Sequence, residues 1–220
     1  MSYKSVLLYP EDVSLLASPS AWLNDACLAF AYELLTHEVL SGTVGVVCVQ
    51  PCVVSLALWE EDAADRAAAL APLALPVARL VLMPLVHGSD PLTPASGGHW
   101  SLLAFVREGD AVRAMHFDSG CGDAAACRVA RAAWARMWPL VHGEGRGALP
   151  PTPPIADGGC PKQRDDASCG VFVAALSERL ARRAAAGLPP FDPSVVAEVD
   201  TGAYRLGMLE NARRLAQACV

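Results

Sequence analysis

Apolar residues recur along the chain at helical or strand spacing, and these patterns predict its elements. From Ala21 to Val39 the apolar positions are three or four residues apart, and Ser20 is placed to cap this helix. Proline is expected to end three of the other helices, at Pro72, Pro139 and Pro189. These other predicted helices lie at 60–70, 123–138, 169–186 and 204–218.

Shorter apolar runs predict strands or extended segments. They lie at 5–9, 43–49, 77–83, 99–106 and 111–117. Pro84 is expected to limit the third run. The turn Glu108-Gly109-Asp110 joins the last two runs, which is the pattern of a β-hairpin. Residues 87–98 and 143–161 are rich in turn-forming residues and are expected to be loops. A helix, a hairpin-bearing sheet and further helices together indicate an α+β fold.

A polar loop brings one cysteine to the start of an apolar helix. Residues 163–168 precede Cys169, and Ser168 is placed to cap the helix that follows. The first turn of a helix has backbone N–H groups without intrahelical partners, and its partial positive charge favours a thiolate. A cysteine taken alone fits a buried core position equally well, but this placement favours a nucleophile.

A nucleophile needs a base, and the base needs a group that orients it. His99 begins one strand of the hairpin, and Asp118 follows the other strand at the same end. The two are therefore expected to be cross-strand neighbours, which suits a carboxylate that orients an imidazole. His116 lies on the same side of its strand as Asp118 and is a competing partner. Read singly, Asp118 fits a turn residue and Gln163 a surface amide.

Composition restricts the partners and the compartment. The net charge of −6 argues against nucleic acid or an anionic membrane as a partner. No apolar run approaches the length of a membrane span, which is about 20 residues, and the N-terminus lacks the apolar core of a signal peptide. The eight cysteines lack the spacing of a zinc site, and a chain of 220 residues needs no disulfide framework. We therefore expect reduced cysteines, no metal, and a location in the cytoplasm, the nucleus or both.

The order His, Asp, Gln, Cys resembles that of the Ulp/sentrin-type cysteine proteases, which act on ubiquitin-like modifiers. The matching stretches are DVSLL at 12–16, SAWLND at 20–25, GGHWSLL at 97–103, HFDS at 116–119 and QRDDASCG at 163–170. Within this family the chain is most similar to the small deneddylase branch, which is specific for Nedd/Rub-type modifiers. The resemblance implies a single papain-like domain of the Ulp type over residues 1–220. Its central mixed sheet would carry His and Asp on a β-hairpin and be flanked by helices.

The resemblance also implies the role of each matching residue. His99 would be the base, Asp118 its orienting carboxylate, Cys169 the nucleophile and Gln163 the oxyanion donor. The expected protein is a monomeric thiol protease that cleaves after a terminal Gly-Gly and uses no cofactor.

A second set of matching residues would bind the modifier. The resemblance implies that Trp100 roofs a narrow channel for the Gly-Gly tail. It also implies that Trp22, Asn24 and Asp25 help to hold the modifier's C-terminal segment.

Some positions depart from the family pattern and keep other functions open. Asp165 stands where Asn is usual, and Ser168 where Asp is usual. The added negative charge of Asp165 is expected to raise the pKa of a nearby thiol. Residues 143–161 lack the clear strand expected before the glutamine. The alternatives are a SUMO-specific protease, a catalytically impaired protein that binds a modifier, and an acyltransferase.

The remaining candidate residues are interpreted as structural. Trp134 and Trp138 are expected to pack in the core or in a half-exposed position, and Arg179, Arg182 and Arg183 to form a solvated helix face. Cys121 lies in a glycine-flanked turn without a helix start directly behind it, and it is not favoured as the nucleophile.

Overall fold

The computed structural model describes residues 1–87, 98–120, 124–143 and 154–218, without the side chains of 124–127 and 218. The strands are Ser2–Tyr3 (β1), Val6–Leu7 (β2), Val46–Cys48 (β3), Leu80–His87 (β4), His99–Glu108 (β5), Ala111–Phe117 (β6) and Ile155–Asp157 (β7). The α-helices are Pro10–Ala17 (α1), Asp25–Leu34 (α2), Pro51–Trp59 (α3), Ala63–Leu70 (α4), Ala124–His142 (α5), Cys169–Ala185 (α6) and Thr201–Ala218 (α7). A π-helical turn over Leu35–Val39 continues α2.

A mixed sheet organises the molecule in the order β3-β4-β5-β6-β7. Its outer pairs β3–β4 and β6–β7 are parallel, whereas β4–β5 and β5–β6 are antiparallel. The predicted hairpin is β5–β6, with Leu102 opposite Phe117. This register brings the start of β5 and the residues after β6 to the same end of the sheet. The α+β prediction is therefore confirmed.

Helices cover both faces of the sheet. Alternate residues of β5 point to opposite faces, so Leu102 and Ala104 join one core while Leu103 and Phe105 join the other. Helices α2, α6 and α7 contribute to the first core, and α3 and α5 to the second. Burial on both sides explains why β4 and β5 are almost continuously apolar.

The helix predicted from Ala21 begins later than expected. Asn24 caps α2, since its Oδ1 accepts the N–H of Cys27 at 3.0 Å, and Ser20 is not the cap. Helices α1 and α3 were not predicted, and each begins with a proline, Pro10 or Pro51. A proline at the first helical position loses no hydrogen bond, so it starts a helix as readily as it ends one.

Two other prolines lie inside elements that they were expected to limit. Pro84 lies within β4, because β3 ends at Cys48 opposite Leu82 and leaves that side of β4 without a neighbouring strand. Pro139 lies within α5, which continues to His142. Proline has no N–H to donate to the carbonyl four residues earlier. Because Pro139 is exposed, water can reach that carbonyl instead.

The segment predicted as a loop from 143 to 161 contains a strand in its described part. Residues Ile155–Asp157 form β7 and pair in parallel with Ala114–His116 of β6. The strand expected before Gln163 is therefore present. A run of three residues is too short to show an alternating pattern in the sequence.

Candidate functional site

The end of the β5–β6 hairpin opposite its turn carries a histidine–aspartate pair. His99 Nε2 lies 2.5 Å from Asp118 Oδ1. The same Oδ1 accepts the N–H of Gly120 at 2.8 Å. A Cβ on Gly120 would lie 3.0 Å from the His99 ring and 3.2 Å from Asp118 Oδ1, so the close approach favours glycine here. The structure thus brings together the two residues that the hairpin register predicts.

Cys169 completes the cluster from the other side. It is the first residue of α6, is 2% exposed, and interacts with His99. Because Asp118 holds Nε2 of His99, the other ring nitrogen, Nδ1, is the one left for the thiol. The hydrogen bond with Asp118, and then the interaction with Cys169, raise the pKa of His99 from 6.5 to about 9. A raised pKa favours the imidazolium, the form that His99 takes when it accepts the thiol proton.

Asp118 is held in its charged form. Burial acts to raise its pKa, but hydrogen bonds from His99 and from the Gly120 N–H outweigh burial and keep the pKa well below the usual range. A carboxylate that stays ionised can orient the imidazole and stabilise its positive charge. The three side chains form a continuous path from carboxylate to thiol.

His116, the competing partner, bonds elsewhere. Its Nε2 lies 2.8 Å from Ser101 Oγ, and the same hydroxyl lies 2.6 Å from His87 Nε2. Burial lowers the pKa of His116, which favours the neutral imidazole. The ring of His87 lies 5.5 Å from that of His99, between centroids. Ser101 was not singled out in the sequence, because a lone serine inside an apolar strand carries no pattern.

The loop before Cys169 is tied to the end of the hairpin by Gln163. Its N–H donates to the Ser119 carbonyl at 2.8 Å, and its Oε1 accepts the Ser119 hydroxyl at 2.7 Å. Its Nε2 donates to the Asp165 carbonyl at 2.6 Å. One amide hydrogen of Gln163 remains beyond this bond. The oxyanion role of Gln163 stays a prediction.

Replacement of Gln163 tests that role. We expect Gln163→Ala to lower kcat by roughly 10²–10³-fold, the scale for one oxyanion donor, with a smaller change in KM. Steady-state kinetics on a fluorogenic Gly-Gly substrate measures both constants. The matched control is Gln50→Ala, an amide on a remote segment whose Nε2 donates to Glu33. An unchanged kcat in Gln163→Ala would exclude the oxyanion role.

Asp165 organises the last residues before Cys169. Its Oδ1 accepts the N–H groups of Ala167 and Ser168 at 2.7 Å each, and its Oδ2 accepts the Ser168 hydroxyl at 2.8 Å. Burial acts to raise the pKa of Asp165, but these bonds outweigh it and lower the pKa. Ser168 occupies the cap position of α6 without a capping bond from its side chain, so its predicted capping role is wrong. Its hydroxyl points back to Asp165 instead.

Trp100 joins the segment before α2 to the start of α6. Its Nε1–H donates to the Leu23 carbonyl at 2.8 Å. A Cβ on Gly170 would lie 3.1 Å from Leu23 Cβ and 3.4 Å from Trp100 Cδ1. Trp100 is buried, whereas Trp22 is 40% exposed next to this contact. The segment of Trp22 and Leu23 therefore lies directly against the residue that follows Cys169.

The two neighbouring polar residues differ in what they offer a ligand. Asn24 is engaged within the protein, since its Nδ2 donates to Asp12 Oδ1 at 2.6 Å and its Oδ1 caps α2. Asp25 is exposed in the first turn of α2. Asp25 and Trp22 thus present side chains to solvent beside the site. Contact of Asn24 with a modifier remains a prediction.

Most of the remaining candidate residues pack or form hydrogen bonds within the protein. Trp134 and Trp138 are buried and stack with centroids 4.9 Å apart, as predicted. The solvated face predicted for the α6 arginines is wrong for two of them. Arg179 donates to the carbonyls of Val195, Ala197 and Glu198, and Arg183 donates to that of Pro189, because α6 packs against the returning chain. Cys121 lies outside the described residues.

The described part of the chain holds neither a metal-binding cluster nor a membrane-crossing helix. Within residues 1–87, 98–120, 124–143 and 154–218, no group of His, Cys, Asp and Glu has an arrangement that would hold a metal ion. None of the helices in these ranges combines the length and the apolar character that a membrane crossing needs.

Comparison with known proteins identifies several that this chain resembles. No protein-family model matches the chain. Over 120 residues it is 35% identical to sentrin-specific protease 8 of Mus musculus, a match that covers 54% of this chain and 52% of the relative. Over 188 residues it is 26% identical to NEDD8-specific protease 1 of Arabidopsis thaliana, covering 80% of this chain and 73% of the relative. The first match spans about half the length of that relative.

Solved structures extend the likeness to the whole fold. The effector protein XopD of Xanthomonas campestris, solved bound to ubiquitin, has a TM-score of 0.62 and is 25% identical, and the match covers 93% of this chain and 100% of XopD. The C-terminal Ulp1 protease domain, solved in complex with the yeast SUMO orthologue SMT3, has a TM-score of 0.60 at 17% identity and covers 96% of this chain and 87% of that one. The chain therefore has the Ulp-type fold, and the predicted resemblance to this family is confirmed.

Proposed function

We propose, starting from the chain's relation to the Ulp/sentrin-type cysteine proteases, that it is a thiol protease for a ubiquitin-like modifier. It would cleave after the C-terminal Gly-Gly of the modifier, both in precursors and in isopeptide conjugates. The observation that carries the proposal is the cluster of Asp118, His99 and Cys169, in which Asp118 is hydrogen-bonded to His99 and His99 interacts with Cys169. This arrangement is the one that activates a thiol nucleophile.

In the proposed reaction each of these three residues has its own task. Cys169 Sγ, after giving its proton to His99, attacks the carbonyl carbon of the terminal glycine. The imidazolium of His99 then protonates the leaving amine, and a thioester remains on Cys169. Water, deprotonated by His99, releases the glycine carboxylate and restores the thiol. Asp118 stabilises the imidazolium in both halves of the cycle.

We propose a Nedd/Rub-type modifier as the preferred substrate. The names of the relatives support this choice, since one is a NEDD8-specific protease. The solved neighbours bind ubiquitin and SMT3, which supports the wider class of ubiquitin-like partners. The described cysteines Cys27, Cys48, Cys52, Cys160 and Cys169 are free thiols, which supports action in a reducing compartment, the cytoplasm or the nucleus.

A panel of modifiers tests this preference. We expect kcat/KM to be highest for the Nedd/Rub-type modifier and lower for ubiquitin and SUMO, each carrying the same fluorogenic group on its Gly-Gly end. A shared tail cannot separate the three, so the difference must come from the broader surface of each modifier. Equal or greater efficiency on SUMO would assign the chain to the SUMO proteases instead.

Asp25 offers a sharper measurement on the same panel. An exposed carboxylate beside the site is placed to pair with a basic residue of the modifier's tail, so Asp25→Ala should raise KM by about two- to fivefold and change kcat less. Added salt should reduce this difference. Asp65→Ala, an exposed acidic residue on the remote helix α4, is the control. Equal KM values in wild type and Asp25→Ala at low salt would remove Asp25 from the binding surface.

A further inference from the structure

We infer that Arg205, on the C-terminal helix α7, is a positioning residue for the Cys169 site. Its guanidinium joins the peptide before the nucleophile to the segment that packs on Gly170. No sequence motif points to Arg205, which lies 36 positions after Cys169 in the numbering of the chain. The inference rests on the proposed function for its kinetic consequences and on geometry for the rest.

The contacts of Arg205 converge on three separate segments. The residue is 4% exposed. Its Nη1 donates to the Leu15 carbonyl at 2.8 Å, and its Nη2 donates to the Ala21 carbonyl at 2.9 Å. The same Nη2 lies 3.5 Å from the Ala167 carbonyl. The planar fork of a guanidinium can serve several acceptors at once, which the single ammonium of lysine does less well.

The backbone of Ala167 is held on both sides. Its N–H donates to Asp165, and its carbonyl faces Arg205. Asp165 and Arg205 are oppositely charged and attract each other across this residue, which precedes Ser168 and Cys169. Ala167 therefore has two charged anchors, and these hold the backbone that leads into α6.

The second anchor point, Ala21, leads into the opposite side of the site. Ala21 precedes Trp22 and Leu23, and Leu23 meets both Gly170 and the indole of Trp100. A shift of the Ala21 carbonyl would therefore move the segment that borders the nucleophile. One buried side chain thus sets the spacing between the thiol and the Trp22–Leu23 segment.

The charge of Arg205 persists despite its burial. Burial lowers the pKa of Arg205, but a guanidinium remains protonated at neutral pH, so it keeps its attraction to Asp165. Its charge and its hydrogen bonds thus hold the same backbone, which leads into Cys169.

The experiment compares Arg205→Met, which removes both the charge and the donors, with Arg205→Lys, which keeps the charge. Arg213→Ala, an exposed arginine of the same helix, is the control. Two readouts are taken on the full chain. The first is kcat and KM on the fluorogenic modifier, normalised to the folded fraction from circular dichroism. The second is the iodoacetamide labelling rate of Cys169 relative to the exposed Cys52, from peptide mass spectrometry.

We expect Arg205→Met to lower kcat/KM per folded molecule by about 10²-fold, with a rise in KM, because both anchored segments move. Its Cys169-to-Cys52 labelling ratio should fall by about 3- to 10-fold, since Cys169 is no longer held in place at the helix start and beside His99. Arg205→Lys should lose about tenfold in kcat/KM and keep more of the labelling ratio. The control should stay within about twofold of wild type in both readouts.

A residue that only stabilises the fold would give a different result. Either variant would then reduce the folded fraction while turnover per folded molecule and the labelling ratio stayed at the wild-type values, and that outcome overturns the inference. If the wild-type chain turned over no modifier, the proposed function would fail, whereas the labelling ratio would still decide the role of Arg205.

Discussion

Cys169→Ala is expected to lower kcat for a Gly-Gly-linked modifier by roughly 10⁶-fold while leaving its dissociation constant within about threefold of the wild-type value. The large loss follows because alanine has no atom that can form the thioester. Binding should persist because the modifier is held mainly by surfaces outside the Cys169 side chain. Time courses of precursor cleavage measure kcat, and isothermal titration calorimetry with the intact modifier measures the dissociation constant.

The control for this substitution is Cys52→Ala. Cys52 is an exposed free thiol on α3, so its loss should leave both quantities unchanged. Near-complete activity of Cys169→Ala would instead exclude Cys169 as the nucleophile. Cys121 would then be the next cysteine to replace.

The second large effect is expected for Asp118→Ala. Without the carboxylate, His99 loses its orienting partner and the main support for its positive charge, so kcat should fall by roughly 10²–10⁴-fold. KM should change less, because Asp118 meets the imidazole rather than the modifier. Asp65→Ala again provides a carboxylate control away from the site. A kcat within twofold of wild type would show that Asp118 does not orient the base.

The same variant should also change the pH dependence of stability. In the folded protein the pKa of His99 is raised from 6.5 to about 9, so its pairing stabilises the fold fully below about pH 6.5 and is lost as the pH rises through 9. The depressed pKa of Asp118 places the acid limit of the pairing well below neutral pH. Thermal unfolding should therefore show a larger Tm difference between wild type and Asp118→Ala near pH 6 than near pH 10. A difference that grows with pH would contradict the pairing.

Local sequence patterns were sufficient to predict the centre of the site. The β5–β6 hairpin has a short turn and two apolar strands, so its register follows from the chain itself and places His99 opposite the residues after β6. Cys169 was found because a polar loop, a helix start and an apolar helix follow one another directly. Each of these signals lies within a few residues of the group that it locates.

Other features depend on contacts between segments far apart in the chain. Strand β7 is three residues long and exists because β6 offers an edge to pair with. In the sequence Arg205 looks like an ordinary helix arginine. In the fold α7 packs against α1, which brings the guanidinium to Leu15, Ala21 and Ala167. The hydrogen bonds of Asn24 also depend on the fold. Its Nδ2 donates to Asp12, which is 12 residues away in the chain and lies beside Asn24 only in the folded protein.

The most direct measurement of the central claim is covalent trapping of the wild-type chain. A Nedd/Rub-type modifier whose terminal glycine carboxyl is replaced by a thiol-reactive electrophile would place that electrophile where the scissile carbonyl lies. Digestion and peptide mass spectrometry then identify the modified residue. We predict a single adduct on Cys169 that is absent in Cys169→Ala and strongly slowed in Asp118→Ala. An adduct on a different cysteine, with Cys169 left unmodified, would contradict the assignment of Cys169 as the nucleophile.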